Sequence, residues 1–94
     1  MTLPEIMAES GKKIIGSVLA LMKKADRISV IVEVERGLEG AMAAAMKSLT
    51  EMGILFIETD HYIFCDLTPE QIRTVAEFKE VRHIWHDCPV GPCD

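Results

Sequence analysis

The spacing of hydrophobic and polar residues changes along the chain, and each change predicts a different element. Residues 2–25 repeat apolar side chains at intervals of three and four, which is typical of an amphipathic helix. Gly11 and Gly16 each weaken that helix by about 1 kcal/mol relative to alanine. Residues 28–34 alternate with a period of two and are rich in β-branched residues. They predict a strand whose buried face carries Ile28, Val30, Val32 and Val34.

The middle of the chain predicts a second helix followed by a hairpin. Residues 38–52 are rich in alanine and methionine, and Gly53 provides a suitable end for the helix. Residues 54–58 and 62–67 are rich in β-branched and aromatic residues. Because only three residues separate these two runs, we expect an antiparallel hairpin.

The last third of the chain predicts a capped helix and a final strand. Thr68 and Gln71 have the spacing of a capping box, with Pro69 at the first helical position. Residues 81–86 supply a last β-rich run. The order of elements predicts an α+β fold, a ferredoxin-like βαββαβ sandwich with a four-stranded antiparallel sheet and an extra N-terminal helix. The expected parts are a helix over residues 1–26, the domain over 27–87 and a tail over 88–94.

This fold leaves one face of the sheet without helices. Alternation predicts that this face carries Ile31 and, depending on register, Phe56, Tyr62 or Phe64, and Trp85 or His83. We expect a face this apolar to be buried against another element of the chain or against a partner. The N-terminal helix is one candidate cover, and a second copy in a homodimer is another.

Charge and composition narrow the classes of partner and location. The chain carries ten basic and fifteen acidic residues, and its net charge of −5 repels phosphate backbones, so we expect no nucleic-acid partner. The longest apolar run, residues 18–22, is too short to span a bilayer, and the N-terminus lacks the pattern of a secretory signal. We therefore expect a cytoplasmic protein with no membrane partner. Its three cysteines do not form a disulfide framework.

The sequence offers few residues for chemistry. It contains no phosphate-binding loop or nucleophile elbow, so we expect no enzyme, no catalytic residue and no cofactor. His83, His86, Cys88 and Cys93 are ligand types that zinc favours, but their spacing matches no standard zinc module. A weak metal alternative uses His86, Cys88 and Cys93. A disulfide between Cys88 and Cys93 is the other alternative.

One segment resembles a known family. The run Leu67-Thr68-Pro69-Glu70-Gln71-Ile72, followed by a helix and by Val81-x-x-Ile84-x-x-Asp87, is similar to the second half of the subtilisin-propeptide family of protease inhibitors and chaperones. The resemblance implies a domain that binds a subtilisin-like protease through the open face of its sheet, with Asp87 as the terminal acid that meets a protease helix. It also implies a C-terminal tail that lies in the substrate cleft. The partner-binding residues would be Trp85, Asp87, Cys88, Pro89, Val90, Gly91, Pro92, Cys93 and Asp94.

The chain departs from that family in its last strand and tail. Trp85 occupies a position where the family has an acid, and Pro89 and Pro92 stiffen the tail. Two other functions therefore stay open: a homo-oligomerisation module, or a small-ligand regulatory domain that resembles the amino-acid-binding ACT group. The second would bind its ligand at Gly37, Leu38 and Gly40, between the first strand of the domain and its helix.

Overall fold

The computed structural model describes residues 13–88 and 91–93, which form a small α+β structure built on one antiparallel sheet. It contains three helices and five strands. In chain order they are α1 (Gly16–Leu21), β1 (Ile28–Val34), α2 (Ala41–Glu51), β2 (Phe56–Thr59), β3 (Tyr62–Leu67), α3 (Pro69–Ala76), β4 (Val81–Cys88) and β5 (Gly91–Cys93). The strands lie in the order β2-β3-β1-β4-β5, and each neighbouring pair is antiparallel.

The hydrophobic core lies between one face of this sheet and the helices. Ile28, Val30, Val32 and Val34 are all buried in it, which confirms the alternation read from the sequence. All three helices contribute buried residues to the same core, including Val18 from α1, Leu49 from α2 and Ile72 from α3. The helices therefore pack on a single face of the sheet.

Local sequence explains how two of these elements begin. At the start of α3 the Thr68 hydroxyl accepts a hydrogen bond from the Gln71 amide at 3.1 Å, and the Gln71 side chain accepts one from the Thr68 amide at 2.9 Å. This is the predicted capping box. Helix α2 begins after Gly40, whose φ of 76° is a conformation that favours glycine.

The N-terminal helix is shorter among the described residues than the sequence predicts. Ile14 pairs with Ile84 of β4, and the amide of Ile15 donates to the carbonyl of Ile84 at 3.1 Å, so helix α1 begins only at Gly16. A β-branched pair directly before a glycine favours this interruption. The first twelve residues of the predicted helix lie outside the described part of the chain.

The sheet also has one strand more than predicted. Gly91–Cys93 pairs with β4 as β5, so this part of the expected tail turns back along the sheet. A Gly-Pro-Cys run has little strand propensity, and pairing with the neighbouring strand prevails over it. Pro89, Val90 and Asp94, three of the predicted tail residues, lie outside the described residues. The computed structure contains no helix, among the residues it describes, with the length and apolar character needed to cross a membrane.

Candidate functional site

The face of the sheet opposite the helices, called here the open face, carries an apolar row that crosses four strands. Cross-strand register brings one residue of each strand into line: Ile57 of β2, Phe64 of β3, Ile31 of β1 and Trp85 of β4. Ile31 at the centre is only 1% exposed although it lies outside the helix-packed core. Ile57 at the end of the row is 72% exposed. The row is thus buried at its centre and accessible at its edge.

The register of the strands shows which of the alternative residues lie on the open face. Tyr62 and Phe64 lie on the open face together, since they are two apart on β3, and His83 and Trp85 do so on β4. The expectation for Phe56 was wrong. Phe56 packs against the core, and Ile57 takes the place on the open face. Residues 54–58 are mostly apolar on both sides, so alternation alone did not distinguish the two.

A polar cluster borders the row on one side. The indole Nε1 of Trp85 donates to Glu33 Oε1 at 2.9 Å, and His83 Nδ1 lies 3.2 Å from the same oxygen. Arg82 extends a guanidinium nitrogen to 4.0 Å from Glu33 Oε2. The Glu33 side chain is 12% exposed, so this carboxylate is largely shielded from water and held by three partners. These contacts of Glu33 were not predicted from the sequence.

The electrostatic setting of Glu33 follows from these contacts. Burial, the largest single influence, by itself raises the pKa of Glu33. The hydrogen bonds from Trp85 and His83, with the charges of His83 and Arg82, outweigh burial and hold the pKa of Glu33 below its ordinary value. Glu33 therefore stays ionised and fixes the Trp85 ring in place.

Two carboxylates lie toward the other side of the row. Asp66 accepts a hydrogen bond from the Ser29 hydroxyl at 2.7 Å. Asp66 and Asp87 line a shallow groove of about 320 Å³ on the open face, together with Leu55, Ile57 and Phe64. The open face thus combines an apolar row with two carboxylates beside it. Trp85 and Asp87, both predicted to bind a partner, lie on this face.

A second candidate site, called here the loop groove, lies at one end of β1. This open groove has a volume of about 510 Å³, and its lining includes Arg36, Leu38, Gly40, Asp60 and His61. Leu38 and Gly40 are two of the three residues predicted for the small-ligand alternative, and Gly37 lies in the same loop.

Hydrogen bonds fix the histidine of the loop groove. The Arg36 Nε and one terminal nitrogen of its guanidinium lie 2.9 and 2.8 Å from His61 Nε2, while His61 Nδ1 lies 3.0 Å from the Asp60 carboxylate. A guanidinium only donates, so Nε2 must accept and Nδ1 must carry the proton toward Asp60. The buried imidazole is thereby held by both nitrogens. No local sequence pattern indicates this contact between the first loop and the hairpin.

The candidate metal ligands are only partly brought together. Strand register places His86 opposite Cys93 and Cys88 opposite Gly91. Within the described residues, no three His, Cys, Asp or Glu side chains are grouped so as to hold a metal ion. The side chains of Cys88 and Cys93 lie outside the described part of the structure, so the disulfide between them stays a prediction.

The remaining cysteine, Cys65, lies in β3 and is buried as a free thiol. Burial, followed by the charge of Asp66, raises the pKa of Cys65 to about 12. A thiol with that pKa is a poor nucleophile near neutral pH.

Comparison of the chain with protein-family models, with curated proteins and with solved structures finds no match. The geometry of the open face and the loop groove is therefore the basis for a proposed function.

Proposed function

We propose that the chain is a non-catalytic protein-interaction module of the ferredoxin-like type, which binds another folded protein through the open face of its sheet. The observation that carries this proposal is the apolar row across β2, β3, β1 and β4. The buried residues of α1, α2 and α3 all belong to the core on the other side. Ile31 is buried within this row, but the exposed Ile57 and the half-buried Phe64 and Trp85 form an apolar patch of the kind that marks interaction sites.

The order of the elements supports the ferredoxin-like part of the proposal. Read from β4, the first four strands lie in the order β4-β1-β3-β2 and are all antiparallel. Helix α2 connects β1 to β2, and α3 connects β3 to β4. Helix α1 and strand β5 are additions to this βαββαβ unit.

The composition of the open face favours a partner with helix N-termini or basic side chains. Asp66 and Asp87 lie beside the row, and a carboxylate stabilises the positive end of a helix dipole. The resemblance to subtilisin propeptides implies the same use for Asp87. We therefore propose a subtilisin-like protease as the partner.

The C-terminal residues must change their position before they can bind a protease. Gly91–Cys93 pairs with β4, so a tail that enters a substrate cleft must first separate from that strand. Only three residues form β5, which keeps the cost of separation small. Recognition by Trp85 and Asp87 on the open face precedes entry of the tail.

An inhibition assay tests this function. Purified chain is added to a subtilisin-like protease, and hydrolysis of a small peptide substrate is followed over a range of salt concentrations. We expect inhibition that weakens with added salt, because the two carboxylates attract the partner. The double variant Asp66→Asn/Asp87→Asn should inhibit less, and the control Glu77→Gln, an exposed change at the end of α3, should inhibit like wild type. Absence of both inhibition and binding contradicts the proposal.

A second candidate function, binding of a small ligand such as an amino acid, is favoured by the loop groove. Its volume of about 510 Å³ is within the range of small-molecule sites. The Arg36 guanidinium and the Asp60 and Glu39 carboxylates in its lining offer charges of both signs to a zwitterion. Calorimetric titration with the standard amino acids tests this function. Binding that Leu38→Arg abolishes and Leu19→Arg preserves would support it, and no heat with any amino acid would exclude it.

A further inference from the structure

Strand β2 forms one edge of the sheet. Among the described residues β3 is its one paired neighbour, so the outer amides and carbonyls of β2 have no sheet partner there. An edge of this kind is a template for another strand. Both edge strands of the sheet, β2 and β5, are short.

The β2 edge is short and carries Glu58, but it lacks the other devices that commonly prevent strand addition. Its four residues include no lysine and no proline, and its pairing with β3 runs without a bulge. The most exposed large hydrophobic side chains of the described residues are Leu55 at 92% and Ile57 at 72%, and both lie at this edge. The end of the apolar row therefore coincides with an unpaired strand edge.

We propose that β2 pairs with β2 of a second copy of the chain, antiparallel and about a two-fold axis at Ile57. In this register Ile57 meets its own counterpart, Phe56 meets Glu58, and Thr59 meets Leu55. Each Glu58 carboxylate then faces a neutral aromatic ring instead of the other carboxylate. A register centred on Glu58 would place like charges directly opposite each other, which is destabilising.

A second copy fits this edge better than an unrelated strand because the edge is complementary to itself. A two-fold axis perpendicular to the sheet joins the two apolar rows end to end and extends them across eight strands. Both open faces remain on the same side of the joined sheet. Dimerisation therefore leaves the proposed protein-binding face accessible, and the two proposals succeed or fail independently.

The proposed dimer interface is small, and its size determines the affinity that we expect. One strand pair with two exposed apolar side chains from each copy buries less than a standard interface of about 1,200–2,000 Å². We therefore expect a weak, reversible dimer that forms as the protein concentration rises. The net charge of −5 on each copy opposes association, so added salt should strengthen the dimer.

Sedimentation equilibrium over a concentration series tests the proposal. We expect the mass of wild type to rise from that of a 10.5 kDa monomer and to stop at a dimer. Leu55→Lys should weaken the dimer roughly tenfold or more, since two leucines leave the interface and two charges enter it. Leu19→Lys makes the same change at a 41% exposed position on α1 and should dimerise like wild type.

Hydrogen exchange at low and high protein concentration locates the interface. We expect added protection at high concentration in β2. A chain that stays monomeric at every concentration overturns the proposal, as does a mass that grows beyond a dimer. A dimer that survives Leu55→Lys but is lost in Phe64→Ser would lie face to face and would also overturn it.

Discussion

The indole Nε1 of Trp85 donates a hydrogen bond to the Glu33 carboxylate across the β1–β4 pair, at 2.9 Å. Both residues lie on the open face, and the bond holds the tryptophan at one end of the apolar row. A side chain already fixed before binding loses little conformational freedom when a partner arrives. In the proposed complex, Trp85 would therefore serve as a preorganised anchor.

Removal of the Glu33 side chain should destabilise the fold. Glu33→Ala leaves the half-buried Trp85 N–H and the His83 ring without their acceptor, which should lower the free energy of unfolding by about 1–3 kcal/mol. Urea unfolding followed by the fluorescence of Trp85, the single tryptophan, measures this change. Glu58→Ala, an exposed change on β2, should stay close to wild type. Equal stability of the two variants would show that the Glu33 contacts contribute nothing.

The same carboxylate should make stability depend on acid pH. The pKa of Glu33 is lower in the folded chain than its ordinary value of 4.5, so below that value the unfolded chain binds more protons at this residue. The contribution of Glu33 is therefore complete above pH 4.5 and is lost as the pH falls through its folded pKa. Urea unfolding at a series of pH values should show a smaller acid-induced loss in Glu33→Gln than in wild type. Parallel curves for the two proteins would contradict this prediction.

Cys65 should resist alkylation in the folded protein. Its thiol is buried, and burial raises its pKa to about 12, so almost no thiolate is present at pH 8. Treatment with iodoacetamide, digestion and mass spectrometry should find Cys65 unmodified in native protein and modified in urea. Rapid modification of Cys65 in the native protein would show that β3 opens readily.

The capping box of α3 should contribute measurably to stability. Thr68→Ala removes the hydroxyl that accepts from the Gln71 amide, and such changes cost about 0.5–2 kcal/mol. Thr74→Ala is the control, since its hydroxyl bonds only to the Glu70 carbonyl on an exposed helix surface. Thermal unfolding by circular dichroism compares them. A Thr68→Ala variant as stable as Thr74→Ala would contradict the assigned role of the cap.

The sequence predicted those parts of the structure that local patterns determine. The alternation of Ile28, Val30, Val32 and Val34 identified the buried face of β1, and the spacing of Thr68 and Gln71 identified the start of α3. Both patterns act within a few residues and need no knowledge of the distant chain.

Contacts between distant strands could not be predicted in the same way. Glu33 meets Trp85 only because β1 and β4 pair in one register, and a shift between Glu33 and Val34 alters that register. No local pattern specifies it. The contact of Arg36 with His61 depends likewise on two loops that are distant in sequence. Strand β5 has no strand-like composition, so the pairing of Gly91–Cys93 with β4 was not foreseen.

Isothermal titration calorimetry with a subtilisin-like protease tests the proposal that the open face binds this class of enzyme. Phe64→Ser removes the aromatic ring from the apolar row, while Leu19→Ser removes a leucine from α1 on the helical side. We predict that Phe64→Ser weakens binding by about 2 kcal/mol, roughly thirtyfold, and that Leu19→Ser binds like wild type. Equal binding by the two variants, both shown to be folded, would contradict the claim, as would no binding by wild type.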